Sequence, residues 1–412
     1  MNPLHLSGYG LKIKCRNLRS RSELEVTDGR DWDKAHSTLR FRPRRFPYSS
    51  IIMDGHSGYV SLQAFHWLSR NKVPVFILNF DGSMISSILP PSPVKADLRA
   101  AQIKASEDSR MKFSVARSIV QAKVARNLQV LDWLAQRYDI EKAVQLTRGE
   151  ALTLGRARSV WDLRTVEGRV ALRYWQAYAS VVPECFDFHG RMTRSHQNNA
   201  SDPVNSALNY AYGVLEGECR AAINIVGLEP SVGFLHESSD YQTKQSLVYD
   251  LQEPFRWIAD VAVMEAFESG VLDLPDFYFT GDDYRYRFGP EAKERFLDLL
   301  RDRFNSAVSY KGRALKWDTV VEQKAVELGR YLVGRTNRLD FSEPSPNLDR
   351  IDDKYLRRRI LSLTQQKAQS LGIGKSTLHY LRRKARSDRA FRICRKVREK
   401  LVRTQDRRSV YG

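Results

Sequence analysis

Apolar and basic residues alternate with period two in Leu11-Lys12-Ile13-Lys14-Cys15-Arg16, and Ser22-Glu23-Leu24-Glu25-Val26 alternates likewise. Both are the pattern of half-exposed strands, and the polar stretch between them predicts a hairpin. Ser50-Ile51-Ile52-Met53 predicts a third strand, closed by the turn dipeptide Asp54-Gly55. Residues 61–70 carry Leu62, Phe65, Trp67 and Leu68 as the apolar positions of a short helix that would cover the sheet. Val75-Phe76-Ile77-Leu78-Asn79-Phe80 reads as a buried strand, which Asp81-Gly82 turns into a partner over 83–89. Pro90, Pro91 and Pro93 end the region and read as a linker.

From Val94 to about residue 340 the period changes to that of helices. Asp202-Pro203 is a capped start with proline at the first helical position. Val204, Leu208, Ala211, Leu215, Ala222, Ile223 and Val226 then recur until Gly227, which predicts a helix long enough to cross a domain. A second helix starts near Ser246, with Leu247, Leu251, Ile258 and Ala262 facing the core. Pro254 lies inside it and predicts a kink, because it removes a hydrogen bond and crowds the carbonyl of Asp250. Farther on, Ala368, Gly372 and Leu378 have the spacing of a helix-turn-helix, with a second helix over Lys375–Arg386 presenting Ser376, His379, Arg382 and Arg383. Gly374-Lys375-Ser376 is not a phosphate loop: position 369 is Gln and no apolar strand precedes it. The expected class is therefore α+β and multidomain: a β-rich unit over 1–92, an all-helical unit over 94–345 and a basic tail over 346–412.

Charge sharpens this division. The 412 residues carry a net charge of +19. Residues 351–412 hold 19 Lys and Arg against 5 acids, the first fifty hold 11 against 5, and the remainder is close to neutral. Positive charge confined to the two ends points to surfaces for a polyanion, most simply nucleic acid, with a solvated tail as the plainer alternative. Cys15, Cys185, Cys219 and Cys394 form no C-x-x-C pair, so reduced thiols are expected instead of a disulfide scaffold or a thiolate zinc site. No apolar run is long enough to span a bilayer, and the first residues lack the pattern of a secretory signal, so the expected setting is the cytoplasm.

Glu167 lies in Thr165-Val166-Glu167-Gly168-Arg169, His236 follows Gly233-Phe234-Leu235, and Asp250 and Glu253 are three apart on one helix face. Carboxylates with one imidazole suit Mg²⁺ or Mn²⁺ with open positions for water and phosphate oxygens. Taken by spacing alone, they fit solvated or paired carboxylates and a hydrogen-bonded core histidine as well.

Five stretches in order resemble the CRISPR-associated endonuclease–integrase family of the spacer-adaptation module: 54–62, 167–171, 202–210, 227–236 and 250–256. The resemblance covers roughly residues 1–340. It implies a β-rich dimerisation domain, a helical catalytic domain, and metal ligands at Glu167, His236 and Glu253, with Asp250 supporting the site from behind. Asn209 and Arg256 fall in matching motifs and are expected either to touch DNA or to pack. The basic tail, with Lys375, Ser376, His379, Arg382 and Arg383 as its DNA-facing candidates, departs from most of the family. With the opening Met1-Asn2-Pro3-Leu4, it is similar to the casposon integrases and their stand-alone relatives. The expected activity is metal-dependent joining of DNA 3′-hydroxyl ends into a target duplex, by a homodimer. The small second adaptation protein is a partner only in the spacer-acquisition setting. The rival reading is a non-catalytic DNA-binding regulator acting through the tail.

Overall fold

The computed structural model describes residues 1–18, 21–29, 37–55, 57–79, 82–93, 95–191, 200–236, 245–280, 285–346, 348, 353–386, 397 and 401. His56, Phe80, Asp81, Val94, Cys394 and most of the basic stretch 389–408 lie outside them.

The N-terminal part contains β1 (Pro3–Leu6), β2 (Leu11–Leu18), β3 (Arg21–Thr27), β4 (Thr38–Phe41), β5 (Ser50–Met53), β6 (Gly58–Val60), α1 (Leu62–Arg70), β7 (Val75–Leu78) and β8 (Met84–Ile88). β2 and β3 form the expected antiparallel hairpin, which β4 and β6 extend into a sheet of order β4-β3-β2-β6. A second sheet, β1-β5-β7-β8, is parallel except for its last pair. Alternation places Ile13, Leu24 and Val26 inside, where they meet Ala64, Trp67 and Leu68 of α1. Ser61 caps α1 by accepting from the amide of Ala64.

The second part holds α2 (Ala96–Glu107), α3 (Ser109–Ala135), α4 (Glu141–Leu152), α5 (Val160–Val181), α6 (Pro203–Val226), α7 (Ser246–Gln252) and α8 (Arg256–Ser269). The sequence reading needs correction here, because the part is not all-helical. β9 (Phe277–Thr280) pairs with β10 (Arg285–Phe288), and after α9 (Pro290–Phe304), β11 (Ala307–Tyr310) pairs with β12 (Arg313–Lys316) before α10 (Trp317–Leu332). Hairpins of four-residue strands are too short to leave a readable period.

The proline segment does not separate two independent cores. Met1, Ile52, Phe76 and Leu78 belong to the same apolar cluster as α3, α5, α6 and α8. Two glycines of α6 make this contact close. A Cβ on Gly213 would lie 1.9 Å from the carbonyl oxygen of Gly82, and one on Gly217 would lie 3.1 Å from the Phe76 ring. Beside them the buried Asp54 carboxylate pairs with Lys293 at 2.7 Å and His5 at 3.2 Å, tying the two parts electrostatically.

The tail forms α11 (Asp353–Ser362), α12 (Gln365–Ser370) and α13 (Lys375–Arg386), whose bounds are those expected for the second helix. Leu356, Ile360, Leu363, Ala368, Ile373, Leu378, Leu381 and Ala385 close a separate small core, and Gly372 turns the chain with φ of +67°. Among the described residues no helix is long and apolar enough to cross a membrane.

Candidate active site

The site begins where α6 stops. Gly227 adopts φ of +84°, and the amides of Gly227 and Leu228 both close on the carbonyl of Ile223. Gln102 of α2, fully buried, shapes the loop that follows. Its amide nitrogen donates to the carbonyls of Glu229 (2.9 Å) and Val232 (2.8 Å), and its oxygen accepts from the amide of Glu229 (2.8 Å). At Gly233 a Cβ would stand 2.7 Å from Cβ of Ser246 and 3.0 Å from a carboxylate oxygen of Asp250, so the loop passes α7 only as glycine.

Asp250 then organises the loop end. Its carboxylate is inaccessible and accepts from the amides of Phe234 (2.5 Å), Leu235 (3.0 Å) and His236 (2.9 Å). Nδ1 of His236 donates to the same carboxylate at 2.8 Å, which leaves Nε2 directed at Oε1 of Glu253, 3.8 Å away. The guanidinium of Arg164 on α5 donates to the carbonyl of Leu235 (2.7 Å from Nε) and clamps the loop to the helix that carries Glu167.

Pro254 has the effect expected of it. It cannot donate an amide, and α7 gives way to a single 3₁₀ turn, Glu253–Phe255, before α8 resumes. Glu253 sits at that break, 3% exposed. The Arg256 guanidinium lies 3.1 Å from its Oε1 and the Lys123 ammonium 2.6 Å from its Oε2. Lys123 projects from α3 and pairs with Glu167 of α5 as well, so one ammonium bridges the two carboxylates. Burial opposes charge on Glu253, but Arg256, Lys123 and His236 outweigh it and hold the carboxyl down at about 2. Burial likewise works against the Lys123 charge, and the two carboxylates outweigh it, raising its pKa above the ordinary range.

Among the described residues no three His, Cys, Asp or Glu donors stand close enough to hold an ion as they are; the cation between Glu167 and Glu253 is Lys123. The donor set nevertheless fits a hard divalent ion. Two carboxylates already converge on one cationic centre, an imidazole nitrogen points at one of them, and Oε2 of Glu253 is buried without a hydrogen bond.

Of the other expected residues, Arg256 lies at the site and stacks over Tyr212, 4.9 Å from its ring centre. Asn209 lies beside it, its Oδ1 accepting at 2.8 Å from Arg191, whose guanidinium also stands over Tyr212, 5.3 Å from the ring centre. Beneath them Asp260 accepts from the hydroxyls of Tyr174 (2.7 Å) and Tyr212 (2.5 Å), and burial pushes its carboxyl up to about 6. On α13, Lys375, Ser376, His379 and Arg383 are exposed, whereas Arg382 donates to the carbonyl of Leu363 at 2.6 Å and braces the tail from within. The sequence reading missed Gln102, Arg164 and Lys123. For Lys123 one signal was present: a charged residue one turn on from Ile119 and Val120 in an apolar-rich helix.

Comparison with known proteins shows what the chain is similar to. The family model "CRISPR associated protein Cas1" matches residues 40–302. CRISPR-associated endonuclease Cas1 1 of Archaeoglobus fulgidus is 28% identical over 322 residues, 73% of this chain and 90% of the relative. CRISPR-associated endonuclease Cas1 1 of Thermus thermophilus is 30% identical over 341 residues, 82% and 98% of the two chains. A solved casposase bound to integration product superposes with a TM-score of 0.77 at 35% identity, covering 88% of this chain and 99% of that one. With more than half its length matched by the family model, and with a casposase-like fold, this chain belongs to the Cas1 family.

Proposed function

We propose that this chain is a metal-dependent DNA integrase and endonuclease. The observation that carries this reading is that Glu167 and Glu253 share one ammonium while Nε2 of His236 points at the other oxygen of Glu253, in a Cas1-family fold. When bound there, a divalent ion, Mg²⁺ or Mn²⁺, would polarise a phosphodiester oxygen and stabilise the charge of in-line displacement. The chain's own residues do the rest. Asp250 fixes the His236 tautomer, keeping the proton on Nδ1 and the lone pair of Nε2 toward the site. Arg256 offsets the charge of Glu253 and holds it in place. The nucleophile is a DNA 3′-hydroxyl in joining and water in nicking; one P–O bond forms as another breaks, so no protein nucleophile or nucleotide cofactor is needed.

The casposon setting is favoured over spacer acquisition. The casposase match is 35% identical over 88% of this chain, against 28% and 30% over smaller shares for the two Cas1 endonucleases. The tail is read as a helix-turn-helix that holds DNA through Lys375, Ser376, His379 and Arg383. The N-terminal part is read as pairing two chains, with the exposed Ile85 on the sheet-edge strand β8 as a contact, so that two sites serve two DNA ends; light scattering at micromolar concentration tests this. The test of function is joining of a short duplex into a supercoiled plasmid by the purified chain, with Mg²⁺ or Mn²⁺. Glu167→Ala, His236→Ala and Glu253→Ala should each abolish joining while DNA binding persists. A regulator acting through its tail would keep its DNA-linked function in Glu253→Ala, and full joining by all three variants would refute the assigned site.

A further inference from the structure

Lys123 sits where the proposed chemistry needs an ion. Its ammonium touches Glu167 and lies 2.6 Å from Oε2 of Glu253. That oxygen is buried and has no hydrogen bond, and Lys123 stands closest to it, whereas Arg256 reaches the other oxygen. Without Lys123, two carboxylates would face each other across a site where one is 3% exposed, at a cost that burial magnifies. Yet a divalent ion bound by the same two residues takes their oxygens at roughly 2.0–2.6 Å, which leaves no room for an ammonium at the same point. Arg256 is pinned by Glu253 and Tyr212, whereas a lysine has a flexible four-carbon stem and a compact charge that can leave.

Building on the metal-dependent reading, we propose that Lys123 is a positioning residue that stands in for the ion. It holds Glu167 and Glu253 together in the empty site and is expelled when a divalent cation enters, so that metal binding is a cation exchange. Lysine then keeps the unloaded site folded and sets a threshold for loading, because each ion must displace a bound charge.

The experiment measures free Mn²⁺ by electron paramagnetic resonance over the full chain, in wild type, Lys123→Met and Lys123→Gln, with Glu167→Ala as the control for the site. Thermal midpoints are recorded with and without the ion. Both lysine variants should bind Mn²⁺ about tenfold tighter or more, on the scale by which groups around a metal shift its affinity. They should also melt lower than wild type without the ion and gain more from its addition. If a variant unfolds without the ion, Mn²⁺ should refold it; a chain that no ion refolds would show that the lysine serves packing, and would overturn the exchange. Unchanged or weaker Mn²⁺ affinity, with wild-type binding that depends on Glu167, overturns the exchange and leaves the metal reading intact. Absence of Glu167-dependent binding in wild type removes both.

Discussion

Asp250 makes the sharpest single test of how the site is built. Its two oxygens accept four donors: the amides of Phe234 and Leu235 on one, the amide and Nδ1 of His236 on the other. Asp250→Asn keeps the shape and replaces one acceptor oxygen with an amide donor, so two of the four donors lose their partner in either orientation. At about 1–3 kcal/mol for each orphaned buried donor, the loss of stability is roughly 2–6 kcal/mol. One orientation lessens that loss and damages function instead. If the new amide faces His236, the imidazole can accept at Nδ1 only by moving its proton to Nε2, which removes the lone pair directed at the site. The expected result is a lower urea midpoint together with Mn²⁺ affinity and strand joining reduced about 10- to 100-fold, the range seen when groups that orient metal ligands are changed. Equilibrium urea unfolding, an Mn²⁺ titration and the plasmid-joining assay read the three quantities. A variant within about 0.5 kcal/mol of wild type, joining normally, would show that the carboxylate does not organise this loop.

Other parts of the molecule make equally definite predictions. Gly213→Ala places a Cβ 1.9 Å from the Gly82 carbonyl oxygen, so the N-terminal part must move off α6; thermal melting should show a loss of about 1–3 kcal/mol or more. Asp260 holds its proton up to about pH 6, above the ordinary 3.8, so the native state binds the proton more tightly than the unfolded chain. Its contribution to stability is therefore greatest below pH 4 and is lost as the pH rises toward 6, by up to about 3 kcal/mol at roughly 1.36 kcal/mol per tenfold change in proton affinity. Asp260→Asn should remove that decline, and denaturation of both proteins between pH 4 and 7 checks it. Deleting residues 353–412 should leave Mn²⁺ affinity unchanged while weakening DNA binding and reducing its salt slope by about 0.9 per lost phosphate contact. Arg383→Ala should lower DNA affinity, whereas Arg382→Ala should loosen the tail; an unchanged salt slope on truncation would take the tail out of DNA binding.

Much of the fold was legible because long elements repeat a signal. α6 announces itself by Asp202-Pro203 at one end, Gly227 at the other and a regular apolar face between, and the structure begins and ends it there. Pro254 foretold the break between α7 and α8 because a missing amide acts locally, whatever surrounds it. β1, β4, β6 and the two late hairpins have three or four residues per strand, fewer than a period needs to show itself. The shared core of the two halves was hidden for a different reason. Gly213 and Gly217 read as weak points in a helix, and only the neighbouring Gly82 and Phe76 reveal that the missing side chains are what lets the parts meet.

The site divides along the same line. Glu167, His236, Asp250 and Glu253 were visible as residue types in motifs, and in the structure three successive amides and Nδ1 of His236 converge on the Asp250 carboxylate. What holds them was not visible. Gln102, Arg164 and Lys123 lie between 44 and about 130 residues from their partners, on helices whose own patterns speak only of packing. A buried Gln or Lys on an apolar helix face breaks the local pattern, and the break carries information even when the partner is unknown: burial of such a group requires a partner somewhere in the fold. Lys123 meets that requirement with two carboxylates at once. Two carboxylates brought onto one half-buried ammonium form a charge arrangement that a divalent ion could take over, and the proposed exchange rests on that residue, which the pattern left unexplained.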